Sequence, residues 1–475
     1  MRPLLAAALI VFPCALAAQT KSLSTSDSAL VVRILLAEDR RDTTDGALAL
    51  GARHSDARVR MLAQRARWRI SDMKFVSRDS LPALDPPTIW PEAPWRLRLR
   101  ALTVRSECGT LRAALADSAW PVRFRAMDLL TTPCSADDQI TSALRAWVDG
   151  LPADASRRAV GGISWHAAAH AIVALAKLKP DEARTRMNRL ASNRQWQARA
   201  YAARASAILA DTARLRVLAH DMDDNVKDAA ISALSKLTGH ADDTIYLAAL
   251  TGRGAQAVRA AAIALKGSPR SDVAPAANAA FDRWVARGIA SARDVRAALL
   301  EAAGRPVTDD TPPAIKVEAL PQLAALALGA DVRLRVTMSP ASGGGSFVVK
   351  LRGDAAPLMA SRILALARAR YYDNLTWHRV EHDFVIQGGS PGASEYVGLS
   401  EYMRDELGTV PHVRGTVGMS TRGHDSGDAQ WFVNVRDNLR LNGDYTVFGD
   451  VVDGIDVVDG ILEGDVIASI SEIPR

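Results

Sequence analysis

His166 and His170 stand one helical turn apart, the spacing with which a helix can offer two imidazoles to zinc. Ala167 follows His166, so the glutamate base of a helix-borne metalloprotease is missing, and no third ligand is evident. The pair therefore reads as helix-face histidines without metal. Arg60, Arg123 and Arg259 recur in one phrase and could line an anion-binding surface, although arginines so placed more often brace adjacent turns. Gly343-Gly344-Gly345 precedes a strand and not a helix, which makes it a turn and not a phosphate cradle. Cys108 and Cys134 bracket two expected antiparallel helices, Thr110–Asp117 and Pro121–Leu130. A disulfide between them and two partly buried free thiols both remain open, and the bond would need an oxidising compartment. Arg379, taken alone, reads as a surface arginine in an ion pair.

Its surroundings change that reading. Arg379 lies in Tyr371-Tyr372-Asp373-Asn374-Leu375-Thr376-Trp377-His378-Arg379-Val380, and Asp383-Phe384-Val385-Ile386-Gln387-Gly388-Gly389 follows. Pro411 to Ser420, Ala429-Gln430-Trp431-Phe432 and Leu441-Asn442-Gly443-Asp444-Tyr445-Thr446-Val447-Phe448-Gly449 continue the series. These segments closely resemble the cyclophilin family of peptidyl-prolyl cis-trans isomerases, over residues 332–470. The resemblance implies a closed antiparallel eight-stranded β-barrel with two helices, and no cofactor or metal. It makes Arg379 the catalytic arginine. Phe384, Val385, Phe432 and Leu441 would form the pocket for the proline ring. Gln387, Gln430, Ser420 and Thr421 would hold the substrate chain, and Tyr445 takes a position where the family has His or Tyr. Val385 replaces a common Met, Ser420 a usual Ala, and Arg440 stands where many eukaryotic members have Trp. His378 is structural in the family and receives no acid–base role.

Isomerisation asks little of the protein chemically. Delocalisation of the nitrogen lone pair sets the rotational barrier of an amide at about 18–20 kcal/mol. No bond is made or broken, so no nucleophile, base or metal is needed. A guanidinium donating to the prolyl carbonyl or towards the prolyl nitrogen favours a pyramidal nitrogen, while an apolar pocket fixes the ring. Lowering the barrier by about 7 kcal/mol accelerates rotation about 10⁵-fold. That gain must come from binding the twisted state better than either planar one. Arginine suits the role because it stays charged and presents a rigid fork.

Two regions must position this chemistry. From Val332 onward apolar residues alternate, as in Val332-Arg333-Leu334-Arg335-Val336 and Phe347-Val348-Val349-Lys350-Leu351, which reads as a hairpin. Ala356–Arg370 reads as a helix. Before it, from about residue 25 to 305, one phrase recurs: Arg58 to Ala63, Pro121 to Ala126, Ala198-Arg199-Ala200, Asn225 to Ala230 and Ala257 to Ala261. The last three are 28 and 32 residues apart and the first two 63 apart, a period expected of stacked helix pairs. Asp117 and Asp221 stand five residues before the valine, where a carboxylate can cap amides and complement the helix dipole. The phrase resembles HEAT repeats of the bacterial type, which implies an N-terminal all-α HEAT-like solenoid that binds protein. Residues 76–95, rich in proline, interrupt it, and residues 306–330, with Pro306, Pro312, Pro313 and Pro321, read as a linker in which Gln322–Leu328 forms a short helix.

The chain of 475 residues is long enough for several domains, and its 48% apolar and 24% charged content excludes wholesale disorder and a polytopic membrane protein. Aromatic residues are only 5%, which favours Ala-rich helices for most of the length. From Asp331 onward there are 14 Lys/Arg and 20 Asp/Glu, net −6, so residues 1–330 carry net +12. A basic part is thus joined to an acidic one. No Lys/Arg run is dense enough for a nucleic-acid patch, and no transmembrane segment is expected. Met1-Arg2, the apolar run Leu4 to Leu16 and the small residues at Ala15-Leu16-Ala17 have the layout of a secretory signal peptide, with cleavage expected after Ala17. Phe12 and Pro13 fit poorly with lipid attachment at Cys14. The expectation is an exported, periplasmic multidomain isomerase: leader 1–17, helical repeats 25–305, linker 306–330 and isomerase domain 331–475, acting on proline-containing proteins. The alternative is a scaffold that binds prolines without turning them over.

Overall fold

The computed structural model describes residues 24–71, 85–152, 165–307 and 323–474. The leader and most of the linker, including Pro312, Pro313 and Pro321, lie outside the described residues, as does the start of the 76–95 insertion. Three helices open the described chain: α1 (Thr25–Arg40), α2 (Gly46–Ala52) and α3 (Ala57–Ser71). A longer helical series follows: α4 (Pro94–Ala101), α5 (Cys108–Leu115), α6 (Trp120–Leu129), α7 (Asp138–Asp149), α8 (Trp165–Leu178), α9 (Pro180–Ala191), α10 (Trp196–Ile208), α11 (Thr212–Leu218), α12 (Asp224–Thr238), α13 (Asp243–Ala249), α14 (Ala255–Leu265), α15 (Val273–Ala286) and α16 (Arg293–Ala302). Helices α6, α8, α10, α12, α14 and α16 pack side by side in that order. Their contact faces are built largely from buried alanines, such as Ala168, Ala171, Ala202, Ala205 and Ala261, whose single methyl lets the helix backbones approach closely. Among the described residues no helix is long and apolar enough to cross a membrane.

The repeated arginines fold back on their own turns. Arg60 donates to the carbonyls of His54 and Ser55 at 2.6 and 2.7 Å. Arg123 donates to Asp117 O, Arg199 to Asn193 O at 2.8 Å, and Arg296 to Ile289 O at 2.7 Å. Arg259 departs from the pattern and lies 4.0 Å over the ring of Tyr396, in the C-terminal region. The carboxylates ahead of the helices also act on the turns. Asp117 accepts from Ala119 N and Asp221 from Asp223 N, while Asp223 is the residue that caps α12. A disulfide joins Cys108, at the start of α5, to Cys134 in the turn after α6, with Cα atoms 5.4 Å apart.

The C-terminal region is an antiparallel sheet of β1 (Arg333–Met338), β2 (Ser346–Leu351), β3 (Arg379–Val380), β4 (Val385–Gly388), β5 (Thr416–Met419), β6 (Trp431–Asn434), β7 (Val447–Asp453) and β8 (Ile467–Glu472), in the order β3-β4-β6-β5-β7-β2-β1-β8. No ladder joins the end strands β3 and β8. The segment before β3 bonds instead to the start of β8 and the residues ahead of it: Asn374 N to Ile467 O and Ile467 N to Leu375 O at 2.8 Å, and Trp377 N to Asp465 O at 2.9 Å. Helices α17 (Leu323–Ala327), α18 (Pro357–Arg368) and α19 (Ile455–Gly460) accompany the sheet. Trp377, Phe347 and Trp431 fill its core.

The packing does not keep the expected repeat region 25–305 together as one core. Helices α1 to α3 bury Ile34, Leu35 and Leu62 in the same core as the sheet, through α17, whereas α4 to α16 form a separate core. Arg69 of α3 secures this arrangement from a buried position. It donates to Glu38 Oε1, Leu407 O and Ala355 O, each at 2.7 Å. An amphipathic helix announces an apolar face but not which surface will cover it, so the sequence pattern alone assigned these helices to the repeats.

The basic and acidic parts meet across the molecule. Arg41 pairs with Asp425 at 3.1 Å, Arg96 with Asp459 at 2.7 Å, and Arg100 with Asp383 at 3.2 Å. Arg422 of the acidic part returns the arrangement to Asp294 at 2.5 Å. The described end of the proline-rich insertion lies along the sheet, where Trp90 Nε1 donates to Val451 O at 2.9 Å. Part of the helical region's positive charge is therefore matched within the chain.

Candidate active site

Strand register brings the site residues into one row. Arg379 of β3 pairs with Gln387 of β4, Gln387 with Phe432 of β6, and Phe432 with Gly418 of β5. Directly paired residues point to the same face of a sheet, so the guanidinium, the amide and the ring share a side. Val385, two residues from Gln387, shares it too. Gly418 is required here: a Cβ at that position would lie 2.5 Å from the Phe432 ring.

The apolar part of the site is a compact cluster of buried Val385, Phe432 and Leu441, with Phe384 and Tyr445 packed against it. Leu441 comes from the turn Leu439–Leu441, whose carbonyl receives Tyr445 N at 3.2 Å. Asn438 Nδ2 donates to Phe384 O at 2.8 Å and holds the start of β4. All five apolar and aromatic residues named from the sequence therefore meet.

The polar residues border that cluster. The Arg379 side chain is 45% exposed, 4.0 Å from Glu381, and 5.8 Å from the centre of the Phe384 ring. Among the described residues nothing accepts a hydrogen bond from its guanidinium. Gln387 Nε2 donates to Gln430 Oε1 at 3.4 Å, and Gln430 Nε2 donates to the carbonyls of Glu395 and Val397 at 3.1 and 3.2 Å. Ser420 and Thr421 follow β5, and Ser420 N donates to Gln430 O at 2.9 Å. Burial pushes His378 down to about 4, so the imidazole beside Arg379 is neutral at physiological pH and adds no competing charge.

Two neighbours, His412 and Asn434, escaped the sequence reading of the site. His412 lies near-parallel to Phe432, 5.8 Å between ring centres. Asn434 Nδ2 donates to its Nδ1 at 3.1 Å, which leaves Nε2–H to donate to Tyr445 O at 3.0 Å. Burial holds this imidazole below its ordinary pKa, in keeping with one neutral tautomer that braces the pocket. Its place in the Pro411–Ser420 segment was visible, but its contact with a ring twenty residues later was not. Arg440 lies 4.3 Å over Phe384, so two guanidiniums share one aromatic ring. His166 and His170, the helix-face pair, are spent elsewhere: His166 Nε2 donates to Glu463 O at 2.6 Å and His170 Nδ1 to Asp128 at 2.7 Å.

A charged fork with unused donors beside an apolar hollow can hold a carbonyl while a small ring is fixed, and the row holds no nucleophile poised on a base. Residues 335–472 match the family described as cyclophilin type peptidyl-prolyl cis-trans isomerase. A peptidyl-prolyl cis-trans isomerase of Helicobacter pylori is 35% identical over 130 residues, which cover 26% of this chain and 80% of that protein. The chain belongs to the cyclophilin-type peptidyl-prolyl cis-trans isomerases. The chain is also similar to peptidyl-prolyl cis-trans isomerase B of Escherichia coli, at 37% identity over 128 residues covering 25% of this chain and 78% of that protein. A solved cyclophilin-type isomerase of Cryptosporidium parvum is 22% identical with a TM-score of 0.28, covering 30% of this chain and 99% of that one. The cyclophilin region of this chain thus catalyses cis-trans isomerisation of peptidyl-prolyl bonds.

Proposed function

We propose that Arg379 is the catalytic residue and that Phe384, Val385, Phe432, Leu441 and Tyr445 form the proline pocket. The observation that carries this reading is the Arg379–Gln387–Phe432 row, which sets an uncommitted guanidinium beside a ring-sized apolar cluster. The proline ring sits against Phe432 and Leu441, and the guanidinium donates to the prolyl carbonyl or towards the nitrogen as the preceding carbonyl swings. Gln387, Gln430, Ser420 and Thr421 hold the chain on either side. Electrostatic donors aimed at a transition state commonly contribute about 10²–10³ in rate. Arg379→Ala therefore loses at least about a hundredfold in kcat/KM on a proline peptide, with its circular dichroism unchanged. Turnover equal to the parent's would remove Arg379 from the mechanism.

We further propose that the enzyme is exported and acts on proline-containing proteins outside the cytoplasm. The leader-like pattern of residues 1–17 and the Cys108–Cys134 bond, which an oxidising compartment permits, support this. We read α4 to α16 as a HEAT-like solenoid that binds protein and the sheet as a barrel closed by the bonds between residues 374–377 and 464–467. Secretion of the full chain, followed by mapping of its N-terminus, tests export: processing after Ala17 supports it, and an intact cytoplasmic chain opposes it.

A further inference from the structure

A cleft of about 900 Å³ lies between the helical series and β3, at the upper end of the usual size of ligand sites. Its sheet-side wall includes Arg379 itself and Glu395, whose carbonyl holds the Gln430 amide. Arg379 therefore borders both the isomerase site and the cleft, and Glu395 links the cleft to Gln430. The opposite wall comes from Leu102 and Val104 after α4, Phe124 and Arg125 of α6, and Arg204 of α10. The family match, residues 335–472, does not include that wall.

The wall is fixed, not loose. Phe124 stacks on His170 with ring centres 4.7 Å apart, and His170 is held by Asp128. His166 and Tyr201 both anchor to Glu463, on the sheet side. Of the histidine pair that resembles a zinc helix, His166 pins the helical wall to the sheet side and His170 braces that wall internally through Asp128. The wall carries apolar Leu102, Val104 and Phe124 beside Arg125 and Arg204, and carboxylates such as Asp228, Glu381 and Asp383 also line the cleft. Val104 is 79% exposed, and the exposed Arg125 makes no hydrogen bond or ion pair among the described residues.

We propose that this cleft is an extended substrate subsite that receives the unfolded polypeptide flanking the isomerised proline, as that chain leaves past Arg379. An extended chain presents a side chain and an amide N–H and C=O about every 3.3 Å, which suits a trough of apolar patches, the unpaired Arg125 guanidinium and carboxylates that accept amides. The occupant is the substrate's own flanking chain, because Arg379 borders both the isomerase site and the cleft, and a chain leaving the site past it enters the cleft. The inference rests on Arg379 being the catalytic residue. The helical region thereby makes this enzyme selective for long, unfolded substrates over short proline peptides.

The test uses the full chain, with Val104→Asp and Arg125→Glu made separately at exposed positions. Each is assayed on a proline tetrapeptide and on an unfolded protein whose refolding waits on one prolyl bond. The ratio of kcat/KM on the protein to kcat/KM on the peptide should fall about fivefold, the scale of one lost exposed contact. A ratio within about twofold of the parent's in both variants overturns the proposal, whether or not the separate rates change. In the parent, kcat/KM should also rise as the proline peptide is lengthened from four to ten residues, and a flat series overturns it too. Arg379→Ala, run alongside, reports on the catalytic assignment alone: failure to slow the tetrapeptide would indict Arg379 and leave the ratio to judge the cleft.

Discussion

Four arginines of the helical region are committed: Arg60, Arg123, Arg199 and Arg296 each fold back on carbonyls of the turn before their own helix. At the mouth of the apolar pocket Arg379 has, among the described residues, only Glu381, at 4.0 Å, and the face of Phe384. The residue type is the same, and what differs is whether its five donors are already used. A guanidinium that closes a turn is a structural brace, while one left with free donors beside a hollow is available to a substrate. Arg259 shows the intermediate case, lifted from its own turn and laid on Tyr396 across the region boundary.

The contrast can be broken at several points. The largest expected effect is on Arg69, the buried arginine with acceptors from both α1 and the sheet region. Arg69→Ala removes the hydrogen-bonding partner of buried Glu38, leaving only Arg65 at 3.9 Å, and should destabilise the chain by about 3–5 kcal/mol in chemical denaturation. A loss below about 1 kcal/mol would mean that α1 to α3 are not held to the sheet as described. Removing the disulfide by Cys108→Ser with Cys134→Ser should cost about 2–4 kcal/mol, read from the urea midpoint of the oxidised parent against the double variant.

A smaller effect sharpens the acidic side of the comparison. Burial, with the charge of Asp425 adding to it, pushes Asp405 up to about 6, and its hydrogen-bonding partners are the Asp425 amide and His424, with no arginine among them. Because its folded pKa lies above the ordinary carboxylate value, the folded state keeps a proton that the unfolded state has lost. Stability therefore falls as pH rises from about 4 through 6. Asp405→Asn should flatten that slope and be relatively more stable above pH 6, by about 1–2 kcal/mol. A slope unchanged by the substitution would contradict the assignment. The smallest effect is on a braced turn: Arg60→Ala should lower stability by about 1 kcal/mol and leave proline turnover unaltered.

The site was legible because its residues lie in short contiguous segments whose order and spacing are characteristic. Arg379, Phe384, Val385 and Gln387 fall within nine positions, and Phe432, Leu441 and Tyr445 within fourteen. What the sequence could not supply were contacts between distant segments. Nothing near Ile34 or Leu62 indicates a sheet begun at residue 333 as their cover. Nothing near Phe124 indicates Arg379 as the other side of a shared cleft. The charge split was visible, but not that Arg41, Arg96 and Arg100 would meet Asp425, Asp459 and Asp383. The histidine spacing was equally plain, and only the positions of Asp128 and Glu463 explain its use.

Phe384 lies under two guanidiniums, and comparing them is the most direct test of what an uncommitted arginine does here. The kcat/KM on a proline peptide should fall at least about a hundredfold for Arg379→Ala, as expected for a lost transition-state donor. Arg440→Ala removes only a charge resting on the ring, worth about 0.5–1 kcal/mol, and should cost less than about fivefold. Equal losses in the two variants, or a larger loss at Arg440, would contradict the account.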